Sequence, residues 1–171
     1  MVAATVSVAA VDLFMRTPKS VVGADSPPKW ADGYVPGEVV TYYPLEIAGE
    51  QGGAKLMVVG FPRAEILKFR LGILIPGAVC RLDHTDETHA NSWSNGSDGI
   101  PYIVRGPHYH SWPLNRRFCR GGSLPQQLHN ADVCVAGRTF DATLRWFCAD
   151  NHIDALPPGH RIELPKRELL I

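Results

Sequence analysis

Period-two alternation dominates the middle of the chain. Leu67, Phe69, Leu71, Ile73 and Ile75 alternate with Lys68, Arg70 and Gly72, which predicts a strand with one buried face. Pro76-Gly77 predicts a turn, and residues 78–84 the returning strand of a hairpin. A second hairpin is predicted over 38–61. Val39, Val40, Thr41, Tyr42 and Tyr43 are β-branched or aromatic, Gly49 to Gly53 carry a turn signal, and residues 55–61 supply the return. Residues 100–112 also read as extended. Tyr102, Val104, His108, His110 and Trp112 share one parity, and Pro107 marks an edge or a bulge.

The period becomes helical near the end of the chain. Phe140, Leu144, Phe147 and Cys148 fall at i, i+4, i+7 and i+8, with Thr139 as N-cap. The helix should end at Asn151 or His152, and Pro157-Pro158 forbid its continuation. Strands followed by a helix predict an α+β fold: a mainly antiparallel β-sheet built of hairpins, with one C-terminal amphipathic helix packed on it. Residues 1–37 are expected as an extended, partly ordered N-terminal arm, because Pro18, Pro27, Pro28 and Pro36 break its second half. Residues 38–171 are expected as a single α+β domain. The polar stretch 85–99 has no period, which predicts a functional or disordered loop.

Composition narrows the partners. Seventeen Lys and Arg balance seventeen Asp and Glu among 171 residues. A neutral chain is not a strongly basic nucleic-acid coat. The balance is local, however: acids exceed bases by two over 1–62, and bases exceed acids by two over 111–171. No apolar run reaches the length of a membrane span, so no membrane partner is expected. The first residues lack the basic region of a secretory signal. Cys80, Cys119, Cys134 and Cys148 form no Cys-x-x-Cys pair, which fits reduced thiols in a cytoplasmic protein better than a zinc knuckle. Phosphate-binding glycine loops, nucleophile elbows and His-Glu-x-x-His helices are absent.

Chemistry concentrates between positions 81 and 120. His108-x-His110 on a strand would point two imidazoles to the same side, about 6.5–7 Å apart along the backbone. Such a pair can grip one metal ion, or flank a phosphorus atom as base and acid. Arg81 and Asp83 share a parity on the preceding strand. If the two strands pair, Asp83 can orient an imidazole and Arg81 can stabilise negative charge. Each also fits an ordinary cross-strand ion pair. His84 takes the opposite parity and reads as a strand-end or core histidine. His89 and Asn91, in the polar loop, are candidate substrate-binding residues. Arg116, Arg117 and Arg120 are candidate phosphate ligands, with Tyr109, Trp112 and Phe118 available to stack on bases. Asp86 and Glu87 could complete an oxygen-rich metal site.

The order Arg81-Leu82-Asp83, then His89-x-Asn91, then Gly106-Pro107-His108-x-His110 resembles a group of small uncharacterised bacterial and phage-type proteins. That group is similar to toxin components of toxin–antitoxin systems. The closing helix with Phe140, Leu144 and Phe147, followed by Asn151-His152-Ile153, also resembles the group. The likeness covers about residues 64–160. It implies RNA or another phosphate-bearing substrate, and a protein partner such as an antitoxin.

Three functions follow as expectations. The first is a small nuclease or phosphodiesterase, a toxin-like ribonuclease with His108, His110, Arg81 and Asp83 as catalytic residues and no metal. The second is a metal-binding, cupin-like β-barrel protein using His108, His110 and one of His89, His84 or Glu87. No carboxylate stands between 111 and 131, where a cupin pattern wants one. The third is a non-catalytic protein-binding module. Which cofactor is needed, if any, stays open at this level.

Overall fold

The computed structural model describes residues 6–92, 99–154 and 156–167. Residues 1–5 of the expected arm, 93–98 of the expected loop and 168–171 of the expected domain lie outside them. The elements are α1 (Val8–Arg16), β1 (Ser20–Val21), β2 (Ala31–Asp32), β3 (Val39–Ile47), β4 (Glu50–Gly60), β5 (Phe69–Ile75) and β6 (Gly77–His84). They continue with β7 (Thr88–Ala90), β8 (Ile103–Arg105), β9 (His108–His110), α2 (Trp112–Arg116), β10 (Asp132–Val133) and α3 (Phe140–Asp150).

The α+β class holds. One antiparallel sheet runs β1-β3-β4-β5-β6-β9-β10, with β2 also paired to β3. Its path is open at β1 and β10, so the barrel of the cupin-like expectation does not form among the described residues. The β3–β4 hairpin turns on Ala48 and Gly49, both at positive φ. That two-residue turn is tighter than the expected 49–53 signal, and Glu50 already pairs with Ile47.

The expected extended arm is corrected at its start. Residues 8–16 form a helix, capped by Ser7, whose hydroxyl accepts the N–H of Ala10. Val11 is fully buried and Met15 joins the same core. Thr17 leaves the helix in an extended conformation ahead of Pro18. The expected single extended stretch 100–112 is also divided. β8 pairs with β7 in a separate small sheet, Gly106 turns the chain at positive φ, and β9 joins the main sheet. Trp112 then opens α2, with Pro113 in its first turn where no amide hydrogen is needed.

Sheet register explains why the two faces differ. Val58, Leu71, Leu82 and Tyr109 stand in one row across β4, β5, β6 and β9. Their face is buried with Leu144, Phe147 and Cys148 of α3 and with Val11 of α1. Thr139 caps α3 as expected, its side chain accepting from Ala142, and Asn151 ends the helix. On the other face, Arg70, Asp83 and His108 form one row of β5, β6 and β9, and Gly72, Arg81 and His110 the next. A hydrophobic sheet thereby carries a block of polar side chains on its second face.

Candidate functional site

The pairing of β6 with β9 sets Arg81 opposite His110 and Asp83 opposite His108. Four sequence-predicted catalytic residues therefore meet. Asp83 Oδ2 lies 3.3 Å from His108 Nε2 and 3.4 Å from His110 Nε2. The same oxygen accepts Arg81 Nε at 2.8 Å. Arg81 also places an Nη atom 3.2 Å from His110 Nε2. Asp83, His108 and His110 are buried, whereas Arg81 keeps 34% of its side chain exposed.

The loops supply the rest of the site. His89, on β7, brings its ring 5.3 Å from that of His108 and 4.6 Å from that of His110. One ring nitrogen from each of His89, His108 and His110 lies within 4.8 Å of the other two. Each imidazole also has a nitrogen against a backbone carbonyl. His108 Nδ1 donates to Gly106 at 2.8 Å, His110 Nδ1 to Asn130 at 3.0 Å, and His89 Nε2 to His129 at 3.0 Å. In a neutral ring, that contact leaves the opposite nitrogen with the lone pair. Histidine ligands of metals are usually oriented in this way, with the second N–H donated to a carbonyl or carboxylate.

Electrostatics separate the three rings. Burial opposes charge on His108, but Asp83 and the Gly106 carbonyl outweigh it and raise its pKa above the ordinary value. Burial dominates at His110 and lowers its pKa, helped by the Arg81 charge. Burial also lowers His89. Burial would raise Asp83, yet His108 and His110, which donate to it when their rings are protonated, and the Arg81 charge hold it well below the usual carboxylate range. Asp83 Oδ1 makes no hydrogen bond among the described residues, although Arg70 Nε approaches to 3.1 Å.

The expected substrate-binding residues divide. His89 joins the cluster. Asn91 is turned to the backbone: it is buried, its amide donates to the Pro101 and Ala131 carbonyls, and its oxygen accepts the Ala131 N–H. It ties β7 to the segment before β10. Arg116 is held by Asp12 of α1 through two contacts of 2.7 Å. It lines a cavity of about 920 Å³ together with Tyr109, whose side chain opposes the histidine face of β9. Arg117 and Arg120 are exposed after α2. Tyr109 and Trp112 are core residues that also line this cavity, and Phe118 lies against His129. His84 stacks on Phe69, and Glu87 pairs with Lys68, so His89 is the third metal-ligating candidate.

Sequence reasoning missed the supporting residues. Asn115, fully buried in α2, accepts the N–H groups of His129 and Asn130 and donates to the Asn130 carbonyl. It thus fixes the two carbonyls that hold His89 and His110. Arg70 sits between Asp83 and Glu38, at 3.1 Å from each. Glu38 in turn accepts the N–H groups of Tyr34 and Val35. The polar parity of β5 marks Arg70 in the sequence; nothing local marks Asn115.

Among the described residues no helix is long and apolar enough to cross a membrane. All four cysteines are free, with Cys80 and Cys148 buried. No protein-family model, curated protein or solved structure matches this chain.

Proposed function

We propose that His89, His108 and His110 form a divalent transition-metal centre, zinc by donor chemistry, in a phosphoester hydrolase of the nuclease or phosphodiesterase class. The observation that carries the reading is the trio of imidazoles within ligand distance of one another, each oriented by a backbone carbonyl. Three neutral nitrogens are a common ligand set for zinc with a position left for water. A zinc ion held by the three rings would supply an acidified water as the nucleophile. Asp83 Oδ2, beside Nε2 of both His108 and His110, anchors Arg81, which supplies positive charge next to the rings. The resemblance to toxin components makes RNA the first substrate to try, in a cytoplasmic setting, with a protein antitoxin as regulator.

The test begins with metal-stripped protein reconstituted with zinc and desalted. About one zinc per chain is expected by elemental analysis. His110→Ala should weaken zinc binding roughly a thousand-fold, a loss of about 4 of the 10–16 kcal/mol typical of structural sites. No stoichiometric zinc, manganese, cobalt, nickel or iron in the wild type would overturn the reading. RNA and DNA cleavage should be lost in EDTA and restored by the metal.

A second reading rests on the opposite displacement of the two histidines around one carboxylate. A metal-free phosphodiesterase would use His108 as acid and His110 as base. The complete burial of His110 weighs against it, since a base must reach its proton. EDTA-resistant cleavage that disappears in His108→Ala would favour this second reading.

A further inference from the structure

Arg81 occupies a position that a bound metal must contest. His110 Nδ1 faces the Asn130 carbonyl, so Nε2 carries the lone pair of the neutral ring. Arg81 Nη points at that lone pair from 3.2 Å, while Asp83 Oδ2 stands 3.4 Å from the same nitrogen. A guanidinium has donors only, so the contact runs from Arg81 to His110. A metal on His110 Nε2 must displace it.

The displaced group has somewhere to go. Arg81 Nε remains anchored to Asp83 at 2.8 Å, which keeps the guanidinium at the rim of the cluster. One third of its side chain already reaches solvent. Arg70 cannot substitute, because Glu38 and Asp83 hold it from both sides. Asp83 sets one negative charge between the guanidinium and the rings, which leaves a divalent cation and Arg81 with net positive charge for a further anion to bridge. A tetrahedral oxyanion fits: one oxygen on the metal, and one or two on the planar fork of the arginine.

We infer that Arg81 is a metal-gated anion-binding residue, which covers His110 when the centre is empty and holds a phosphate or phosphoester oxygen when it is filled. The inference rests on the metal reading above and names the substrate class of that site. It places Arg81 at the substrate, with Asp83 as the positioning residue that aims it.

Inorganic phosphate and zinc, titrated separately by calorimetry, test it. Zinc-loaded wild type should bind phosphate at least ten-fold more tightly than metal-free wild type. Arg81→Met keeps the aliphatic stem and removes the fork. It should bind zinc several-fold more tightly than wild type, because a competitor for His110 is gone. Its zinc-loaded form should bind phosphate at least ten-fold more weakly. Arg81→Lys, which keeps the charge, covers the case of a poorly folded Met variant and should fall between the two in phosphate affinity. Stoichiometric zinc with unchanged phosphate affinity in these variants overturns the inference alone. Equal phosphate affinity with and without zinc does the same. Failure of the wild type to bind any metal overturns the metal reading, and the inference with it.

Discussion

On one side of β9, Tyr109 lies edge-on to Trp146 and Phe147, with ring centroids 5.2 and 5.9 Å away. Its hydroxyl donates to Asn151 Oδ1 at 3.2 Å. On the other side, His108 and His110 bring four ring nitrogens within the same short strand. Asp83, Arg81 and the carbonyls of Gly106 and Asn130 meet them. An apolar face is specified by volume and alternation, and dispersion does not ask for particular partners. A buried polar face is specified atom by atom, because every unmatched donor or acceptor costs about 1–3 kcal/mol. The apolar side should therefore govern stability, and the polar side binding.

The strongest test of that division is Phe147→Ala. Phe147 is fully buried under the sheet. Its truncation should lower stability by about 3–5 kcal/mol, from lost transfer energy plus the cavity left behind. Chemical denaturation measures the loss. Zinc stoichiometry and affinity of the folded protein should stay at wild-type values. A parallel fall in zinc affinity would break the comparison, since the two faces would then form one unit.

Asn115→Ala probes the polar side through a residue that is not a ligand. Its loss leaves the His129 and Asn130 N–H groups without their acceptor in a buried place. The expected cost is about 2 kcal/mol. Zinc affinity should fall about ten-fold, as it does when partners behind a metal ligand are removed. The two readouts separate a positioning role from a merely structural one. Unchanged zinc affinity in a destabilised but folded protein would show that the carbonyls of His129 and Asn130 keep their places without Asn115.

How far the sequence foretold these two faces follows from how local each signal is. Alternation in 67–75 and the Pro76-Gly77 turn are local; β6 forms where it was expected, and β5 begins at Phe69, with Leu67 left exposed ahead of it. Arg81, Asp83, His108 and His110 were legible because strand parity decides which side they take, and only the pairing of β6 with β9 was needed. His89 was visible as a loop residue, but its approach depends on a β7–β8 ladder that spans a polar stretch without period. The contacts that Asn91 makes with the backbone and Arg116 with Asp12 had no local signal, because a polar residue near a site looks the same whatever it serves. The carbonyls of Gly106, His129 and Asn130 have no signature at all, since every residue carries one. α1 was missed although Ser7, Val8, Val11 and Met15 give a cap and a helical spacing; the small residues around them hid the pattern.

The smallest expected effect belongs to the cavity rim, away from the histidines. Asp12 of α1 accepts Trp112 Nε1 at 2.9 Å and pairs with Arg116 of α2. The Arg116 hydrogen bond, foremost, holds its carboxyl down at about 2, against burial. An unfolded aspartate titrates near 3.9. A carboxyl depressed on folding contributes stability that is fully present above the unfolded pKa and disappears as pH falls through the folded one. Asp12→Asn keeps an acceptor for Trp112 and removes the charge. Wild type should therefore melt at most about 3 °C above the variant at pH 6, the scale of an exposed pair in a chain of this size. The gap should close between pH 4 and pH 2. Zinc affinity at pH 7 should not change, because Asp12 touches neither the ligands nor their carbonyls. A gap that stays constant down to pH 2 would assign the contribution to side-chain packing instead of charge. A loss of zinc affinity would mean that α2 transmits the position of Arg116 to Asn115, and the two sides of β9 would no longer be separable.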